Sequence, residues 1–413
     1  MRRSMSLFTA LGSCCLCGSA AAGQSPRPIG ITHVTVIDVE RGTRLRDQTI
    51  VIEGTLIATV GPSSQVRIPD GYGVVEGRGK FVIPGLVDMR VPLVHDGDSA
   101  ASLDSTRRAL ASFVPFGVTT IREASPRDVD VATMLWRDVR DDAGMPIPRI
   151  SFADGEQRFS LAAASGTDAS ELVRRLLEGS VPGIMRVSNI RPSGRNRRDD
   201  SPPADTSDRA AARLYSDAAW LYEDTALTDS LIRLMVKRRV WLEPTLVNEE
   251  LTLTSTDELR KHPGARFTRR AAERWRDGYA SPQGAELERA RSSVNAMKRF
   301  VRRFHDAGGV VIAGTGGRPF NGAGIHDELR LLVEAGLTPA AALKAATFDA
   351  ARVLGSSDRT GKVAAGKVAD LLMLDADPMA DIRNTARIAA VVLDGRFIDS
   401  EERQRIFTRL AAP

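Results

Sequence analysis

Short apolar runs separated by turn residues characterise both ends of the chain. Residues 31–37, 48–60 and 74–82 are rich in β-branched and other apolar side chains. Residues 369–374 and 388–393 repeat this pattern between glycines and aspartates. Neither end holds enough strands to close a core alone, so the pattern predicts that both ends pair in one β-sandwich.

The middle of the chain has a different pattern, in which apolar strands alternate with helical segments. Strand patterns at 118–121, 184–187, 240–242 and 310–313 lie next to amphipathic helical stretches. Repeated βα units of this kind predict a parallel sheet. The patterning therefore divides the chain into four parts. These are a signal peptide at 1–23, a first sandwich segment at 24–80, an α/β unit at 81–358 with a charged helical insertion at about 249–303, and a second sandwich segment with a tail at 359–413.

The first residues have the pattern of an export signal. Arg2 and Arg3 precede a short apolar stretch at 7–16, and small residues at 20–22 offer a cleavage site. Cleavage there predicts a secreted or periplasmic protein, and lipoprotein cleavage before Cys14 is the alternative. All 3 cysteines lie inside this segment. The mature chain is therefore expected to lack disulfides and thiol chemistry.

Charge and hydropathy exclude two classes of partner. The 413 residues carry a formal net charge of +5, but the one local basic cluster, at 191–198, has no aromatic residue beside it. No nucleic acid is therefore expected as a partner. No stretch after the signal is long and apolar enough to predict a membrane span.

Several motifs in the α/β unit resemble those of a known enzyme family. The residues 80–89 (KFVIPGLVDM) resemble the opening of the first barrel strand of the amidohydrolase superfamily, and 117–122, 309–316 and 361–371 resemble later segments. The subgroup it resembles most is the imidazolonepropionase-like one, near the secreted Xaa-Pro dipeptidases. The resemblance implies a (β/α)8 TIM-like barrel with a small β-sandwich formed by the two terminal segments. It further implies hydrolysis of C–N bonds with one or two divalent metals, typically zinc.

The metal-ligand positions that the resemblance implies are substituted. The first strand of the family carries His-x-His, where this chain has Arg90 and Pro92. A guanidinium has no lone pair to donate to a metal, and proline has no side-chain donor. The aspartate that ends the eighth strand, which binds metal and accepts the proton of the attacking water, is replaced by Gly316. The chain therefore lacks both the first ligand pair and the general base.

The remaining family positions depart from the pattern as well. Arg186 aligns with the lysine of strand four, and Glu223-Asp224 stands where a Glu-His pair is usual. No histidine occurs between residues 187 and 224 to supply the strand-five ligand. These losses predict a catalytically impaired or non-catalytic member with no metal cofactor.

Arginine at these positions suggests a different role for the site. Arg90 and Arg186, together with Glu223 and Asp224, are candidate binding residues for a small anionic ligand, because arginine grips carboxylates through two hydrogen bonds. The competing interpretation is that each arginine simply pairs with a nearby acid, such as Asp88, Glu223 or Asp224.

Other functions stay open from the sequence. His95, Asp96 and Asp98 follow the first strand and His326 follows the eighth, so a relocated metal site with Asp224 is an alternative that would make the chain an active hydrolase. A structural subunit of an active relative is a third possibility. The family commonly forms oligomers, so a homo-oligomer is also left open.

Overall fold

The structure is a computed structural model that describes nine stretches of the chain. These are residues 26–92, 103–124, 145–152, 167–168, 184–186, 190–191, 224–265, 282–316 and 320–411. The predicted signal peptide, His95, Asp96, Asp98 and Glu223 lie outside the described residues. The interpretations given to them therefore remain predictions.

Strands from both ends of the chain share one eight-stranded sheet. They are β1 (Ile29–Asp38), β2 (Thr43–Glu53), β3 (Leu56–Pro62), β4 (Gly73–Glu76), β5 (Phe81–Pro84), β13 (Leu371–Leu374), β14 (Ile388–Leu393) and β15 (Arg396–Ile398). The join lies between β5 and β13, which run antiparallel with Ile83 opposite Leu372. The inward-facing apolar residues of the two ends, such as Ile31, Val82 and Leu371, pack in one cluster. Each end thus buries the apolar face of the other.

A two-residue turn closes the C-terminal edge of this sheet. Asp394 (φ 47°) and Gly395 (φ 78°) both have left-handed backbones between β14 and β15. Two consecutive positive φ values are the geometry of a type I′ turn, whose twist matches that of the flanking strands. A Cβ at position 395 would collide with the carbonyl oxygen of Gly54. Only glycine therefore fits where the two hairpins meet.

The middle of the chain supplies parallel strands. They are β6 (Leu86–Val91), β7 (Val118–Glu123), β8 (Arg149–Phe152), β9 (Thr167–Asp168), β10 (Ile184–Arg186), β11 (Ile190–Arg191) and β12 (Trp241–Glu243). β6, β7 and β8 form one parallel sheet, and β10 pairs in parallel with β12. The extended segment 310–313 connects the two groups, because Met89 N donates to Ala313 O and Leu242 N donates to Val310 O, both at 3.0 Å. Residue 313 thus lies beside the strand that carries Arg90.

The α/β class and the β-rich N-terminal region agree with the sequence prediction. β10 pairs in parallel with β12, and β12 borders segment 310–313. The backbone of Arg186 is therefore in register with Glu243. The assignment of Arg186 to the fourth strand of a barrel stays a prediction.

Helices cover the outer side of the parallel strands. They are α1 (Leu103–Ala111), α2 (Thr225–Lys237), α3 (Leu246–Leu253), α4 (Thr256–Lys261), α5 (Gly284–Asp306), α6 (Gly324–Glu334), α7 (Pro339–Ala345), α8 (Phe348–Val353) and α9 (Ser400–Ala411). The charged insertion is helical where it is described. α5 buries one apolar stripe that includes Met297, Phe300 and Phe304, while its charged face is exposed. No helix among the described residues has the length and apolar character needed to cross a membrane.

Candidate functional site

The carboxyl ends of neighbouring parallel strands bring a group of charged residues to one edge. Arg90 lies near the end of β6, Arg122 near the end of β7 and Glu243 at the end of β12. Ligands of α/β proteins bind at this edge, because the loops that follow the strands converge there. The motif that aligned Arg90 with a metal ligand therefore placed it at the correct end of its strand.

Arg90 is held by its backbone and leaves its guanidinium partly exposed. Its amide donates to Oδ1 of Asp88 at 3.1 Å, and its carbonyl accepts from the amide of Gly316 at 2.8 Å. The side chain keeps 19% of its surface exposed, with Nε 3.8 Å from Oε1 of Glu243. That distance makes an ion pair but is too long for a hydrogen bond. Glu243 is therefore an acid that Arg90 faces at ion-pair distance.

Asp88 organises the backbone beneath Arg90. The carboxylate is fully buried and accepts from the amide of Thr315 at 2.9 Å and from its hydroxyl at 2.5 Å. Burial raises the pKa of Asp88 to about 7, against the lowering effect of these hydrogen bonds, and the nearby Glu243 raises it further. Asp88 therefore connects β6 to Thr315 through two hydrogen bonds.

Arg122 and Glu243 form the floor of the site. Both are buried, and their side chains approach to 4.0 Å between Nη1 and Oε2. Nη1 of Arg122 also donates to the carbonyl of Met89 at 3.2 Å. Burial lowers the pKa of Arg122, while the carboxylate of Glu243 acts in the opposite direction. Glu243 thus lies between two guanidinium groups, which the sequence could not reveal because the three residues are far apart in the chain.

Gly316 has a left-handed backbone and a close neighbour at the position where its Cβ would lie. Its φ is 77°, in the left-handed region that favours glycine. A Cβ built there would lie 2.5 Å from Nδ2 of Asn248, on α3. The Asn248 side chain therefore occupies the space into which the family's aspartate would extend. No sequence motif singles out Asn248, since its proximity to Gly316 depends on how α3 packs.

α3 is fixed at this edge by a carboxylate from another helix. Thr245, which precedes α3, has a φ of 51° and makes no side-chain cap. The buried Glu328 of α6 accepts from the amide of Val247 at 2.8 Å and so caps α3 instead. Burial raises the pKa of Glu328 to about 8, and Glu243 and Asp88 add to the rise. Glu328 thus holds Asn248's helix against the site.

For the other predicted site residues the structure shows a helix cap, a backbone pairing and a strand end. Asp224 is exposed and caps α2, where its carboxylate accepts from the amide of Leu227 at 3.0 Å. Its role in binding a ligand stays a prediction. For Arg186 only the backbone pairing with Glu243 is described, and Pro92 directly follows β6.

His326 is buried and already engaged. Its Nδ1 lies 3.0 Å from Oγ1 of Thr385 and its Nε2 lies 3.0 Å from the carbonyl of Phe116, which precedes β7. Burial lowers the pKa of His326 to about 4. Both ring nitrogens therefore contact protein atoms at the amino end of β7. This geometry argues against His326 as a ligand of a relocated metal at the opposite edge.

Comparison with known proteins agrees with the motifs. The model of the amidohydrolase family matches residues 221–398. An imidazolonepropionase of Micrococcus luteus is 34% identical over 113 residues, which are 27% of each chain. An adenine deaminase 2 of Rhizobium etli is 24% identical over 92% of this chain and 58% of its own length. The motifs and these matches together support an assignment of the chain to the amidohydrolase superfamily.

Solved structures of this superfamily share the fold. A structure described as a prolidase from Bifidobacterium longum has a TM-score of 0.59 and 23% identity, with 94% of this chain and all of that chain covered. At this identity the likeness shows the α/β fold alone. The matched segments span less than two thirds of the M. luteus and R. etli proteins, at 27% and 58% of their lengths.

The donors at the site do not fit the divalent metal that the superfamily implies. Arg90, Pro92 and Gly316 offer no metal-binding side-chain atom. Within the described residues no group of three or more His, Cys, Asp or Glu side chains is arranged to hold a metal ion. The carboxylates that are present, Asp88 and Glu243, face backbone amides and guanidinium groups instead.

Proposed function

We propose that this chain is a catalytically impaired amidohydrolase relative that binds a small anionic molecule at the edge formed by Arg90, Arg122 and Glu243. The observation that carries the proposal is the partly exposed Arg90 guanidinium at a metal-ligand position of the family. A fixed cation there takes over the electrostatic role of a metal without its chemistry. The site can then attract a carboxylate but cannot activate water.

The described residues support binding rather than hydrolysis. Metal-dependent hydrolysis needs a bound water of lowered pKa and a base that accepts its proton. Asp88 is the nearest buried carboxylate to Arg90, but both of its oxygens accept hydrogen bonds from Thr315. Such a carboxylate is held in place as a structural acceptor. The Arg90 guanidinium is then the group of the site that is available to bind a ligand.

Three further predictions belong to the proposal. The parallel strands form a closed (β/α)8 barrel, which the contacts of segment 310–313 with β6 and β12 support. The subgroup is the imidazolonepropionase-like and prolidase-like one, which the similarity to such proteins supports. The mature chain is exported to the periplasm or secreted, because its first residues have the pattern of a signal peptide.

Metal content distinguishes the proposal from the alternative of an active C–N hydrolase with a relocated site. The mature protein is purified after growth with added zinc, and its metal is measured by elemental mass spectrometry. We expect less than about 0.1 metal per chain, since Arg90 and Pro92 replace the first ligand pair. One or two tightly held metals per chain, together with hydrolysis of a dipeptide, would contradict the proposal and favour His95, Asp96 and Asp98 as ligands.

Ligand binding tests the role of Arg90 directly. Binding of 4-methylpentanoate, a simple carboxylate, is followed by ligand-detected NMR titration. The variant Arg90→Ala is expected to weaken binding by about tenfold to a hundredfold, the range for a charge-assisted hydrogen bond. The matched control is Arg41→Ala in the turn between β1 and β2, where an exposed arginine pairs with Asp38. Equal binding by Arg90→Ala and wild type would rule out this site.

A further inference from the structure

Two polar side chains border the glycine segment after residue 313 and remain partly exposed. Arg90 lies on one side, with its Cβ 3.0 Å from a Cβ built at Gly314. Asn248 lies at Gly316, with its amide nitrogen 2.5 Å from a Cβ built there. The polar side chains below them are buried, namely those of Asp88, Arg122, Glu243 and Thr315. The two side chains therefore form the rim of the site, and the backbone of 314–316 lies between them.

Both rim side chains keep hydrogen-bonding capacity for a ligand. Among the described residues the guanidinium of Arg90 has one partner, the 3.8 Å ion pair of its Nε with Glu243. The amide of Asn248 makes no hydrogen bond to any described residue. A side-chain amide that is partly buried without a partner loses water contacts and gains nothing in return. A ligand group that pairs with it would restore that loss.

The absence of a side chain at position 316 makes this amide reachable. Any residue with a Cβ at position 316 would displace the Asn248 side chain. The backbone of Gly316 is left-handed, and its backbone N–H donates to the carbonyl of Arg90 at 2.8 Å. Glu328 caps α3 from below and so fixes the helix that carries Asn248. Glycine at the position of the family's aspartate thus leaves space for the Asn248 amide, which can both donate and accept a hydrogen bond.

We infer that Asn248 is a specificity-determining residue, and that the ligand is a small carboxylate that also carries a carboxamide. This inference rests on the proposed function, because Arg90 supplies the anchor for the carboxylate. Asn248 presents one acceptor and one donor group side by side. A carboxamide offers the complementary donor and acceptor, so the two amides can form a pair of hydrogen bonds. A purely apolar ligand tail would leave the Asn248 amide without a partner.

Two ligands of the same shape test this inference. Succinamate ends in a carboxamide, and 4-methylpentanoate has two methyl groups in its place. Dissociation constants for both are measured by ligand-detected NMR with the wild type, Asn248→Ala and Asn248→Leu. The wild type is expected to bind succinamate about three- to tenfold more tightly than 4-methylpentanoate, the range for one or two net hydrogen bonds. Both variants are expected to lose this preference, because succinamate binds them more weakly and 4-methylpentanoate no longer faces an amide without a partner.

A control variant and three outcomes separate the inference from the proposed function. Asn384→Ala removes an amide that donates to the carbonyl of Asp377, away from the site, and is expected to keep the preference. If neither carboxylate binds, the proposed function and this inference both fail. If both bind equally to the wild type, only the inference fails, and the same holds if Asn248→Ala keeps the preference. A urea midpoint for each variant verifies that it is folded.

Discussion

Two clusters of charged residues in this molecule differ in how closely their groups contact. Where β8 meets the terminal sheet, Arg149 donates to Asp394 at 2.5 Å and to Asp370 at 3.3 Å, and Asp370 also accepts from the amide of Asp394 at 2.8 Å. At the candidate site, Glu243 is 3.8 Å from one guanidinium and 4.0 Å from another. The first cluster joins two parts of the fold through direct hydrogen bonds. The second holds a buried carboxylate at ion-pair distance from both guanidinium groups.

The arginine at the candidate site is more deeply buried than the arginine at the sheet junction. Arg149 is 35% exposed, so water compensates part of any loss there. Arg122 is 3% exposed and lies beneath Arg90. A buried charge that loses a partner has no water to replace it. The buried cluster around Glu243 is therefore the one that we expect to be more sensitive to mutation.

The same substitution in both clusters should give unequal losses of stability. Arg122→Ala removes one of the two cationic neighbours of the buried Glu243 and is expected to lower the free energy of unfolding by about 3 kcal/mol, the low end for breaking a buried ion pair. Arg149→Ala is expected to cost about 1 kcal/mol because that pair is partly solvated. Urea denaturation measures both. An equal or larger loss for Arg149→Ala would overturn the comparison.

Restoring the family's aspartate should cost stability instead of recovering a metal site. Gly316→Asp places a Cβ against Asn248 and forces a left-handed backbone on a non-glycine residue, at an expected cost of about 2 kcal/mol. Gly355→Asp is the matched control, because its φ is 66° and nothing lies within 4 Å of a Cβ there. It is expected to cost about 1 kcal/mol.

A second substitution separates the two causes of that loss. In Gly316→Asp with Asn248→Ala the contact with the flexible end of Asn248 is relieved while the backbone strain remains, so a smaller part of the lost stability, about 0.5 kcal/mol, should return. Urea denaturation of the single and double variants measures this coupling. Additive losses would mean that the Asn248 side chain does not occupy the space beside Gly316. Elemental mass spectrometry of the same variants is expected to detect no gain of metal.

Stability should fall with rising pH at both clusters, but over a higher pH range at the site than at the sheet junction. Burial raises the folded-state pKa of Glu328 to about 8 and that of Asp88 to about 7, so both bind protons that the unfolded chain has lost. Their contribution is present at low pH and disappears as the pH rises to about 8. Burial raises the pKa of Asp370 only to about 6. Burial lowers the pKa of His326 to about 4, so its contribution to stability grows as the pH rises from about 4 to its unfolded value of 6.5, and it is constant above that.

The window from pH 6.5 to 8 therefore isolates the site. Wild type is expected to lose about 1.5 kcal/mol of unfolding free energy there through Glu328 alone. Glu328→Gln should remove most of this slope, whereas Asp370→Asn should leave it unchanged because Asp370 has titrated below this window. Urea denaturation at four pH values measures the slopes. A slope unchanged in Glu328→Gln would show that this carboxyl is ionised in the folded protein.

The sequence predicted the parts of the site that depend on local motifs. Apolar alternation gave the strands of the terminal sheet, and the motif that ends in Asp88 placed Arg90 at a strand end. The partners of these residues depend on long-range packing instead. Asn248 reaches Gly316, and Glu328 caps α3, only because helices distant in sequence meet at one edge. The strand-four alignment of Arg186 had no local motif to fix it and stays a prediction, while the structure shows only that β10 pairs with β12.

The smallest expected effect concerns Asp224, which the sequence made a ligand-binding candidate and the structure places at the start of α2. Asp224→Ala is expected to cost about 1 kcal/mol through loss of the N-cap, similar to Ser255→Ala at the start of α4, which has a full capping box. Neither variant should change the affinity for 4-methylpentanoate. A drop in affinity for Asp224→Ala alone would give this exposed carboxylate a part in the site, because a cap that only stabilises a helix lowers stability without altering ligand selection.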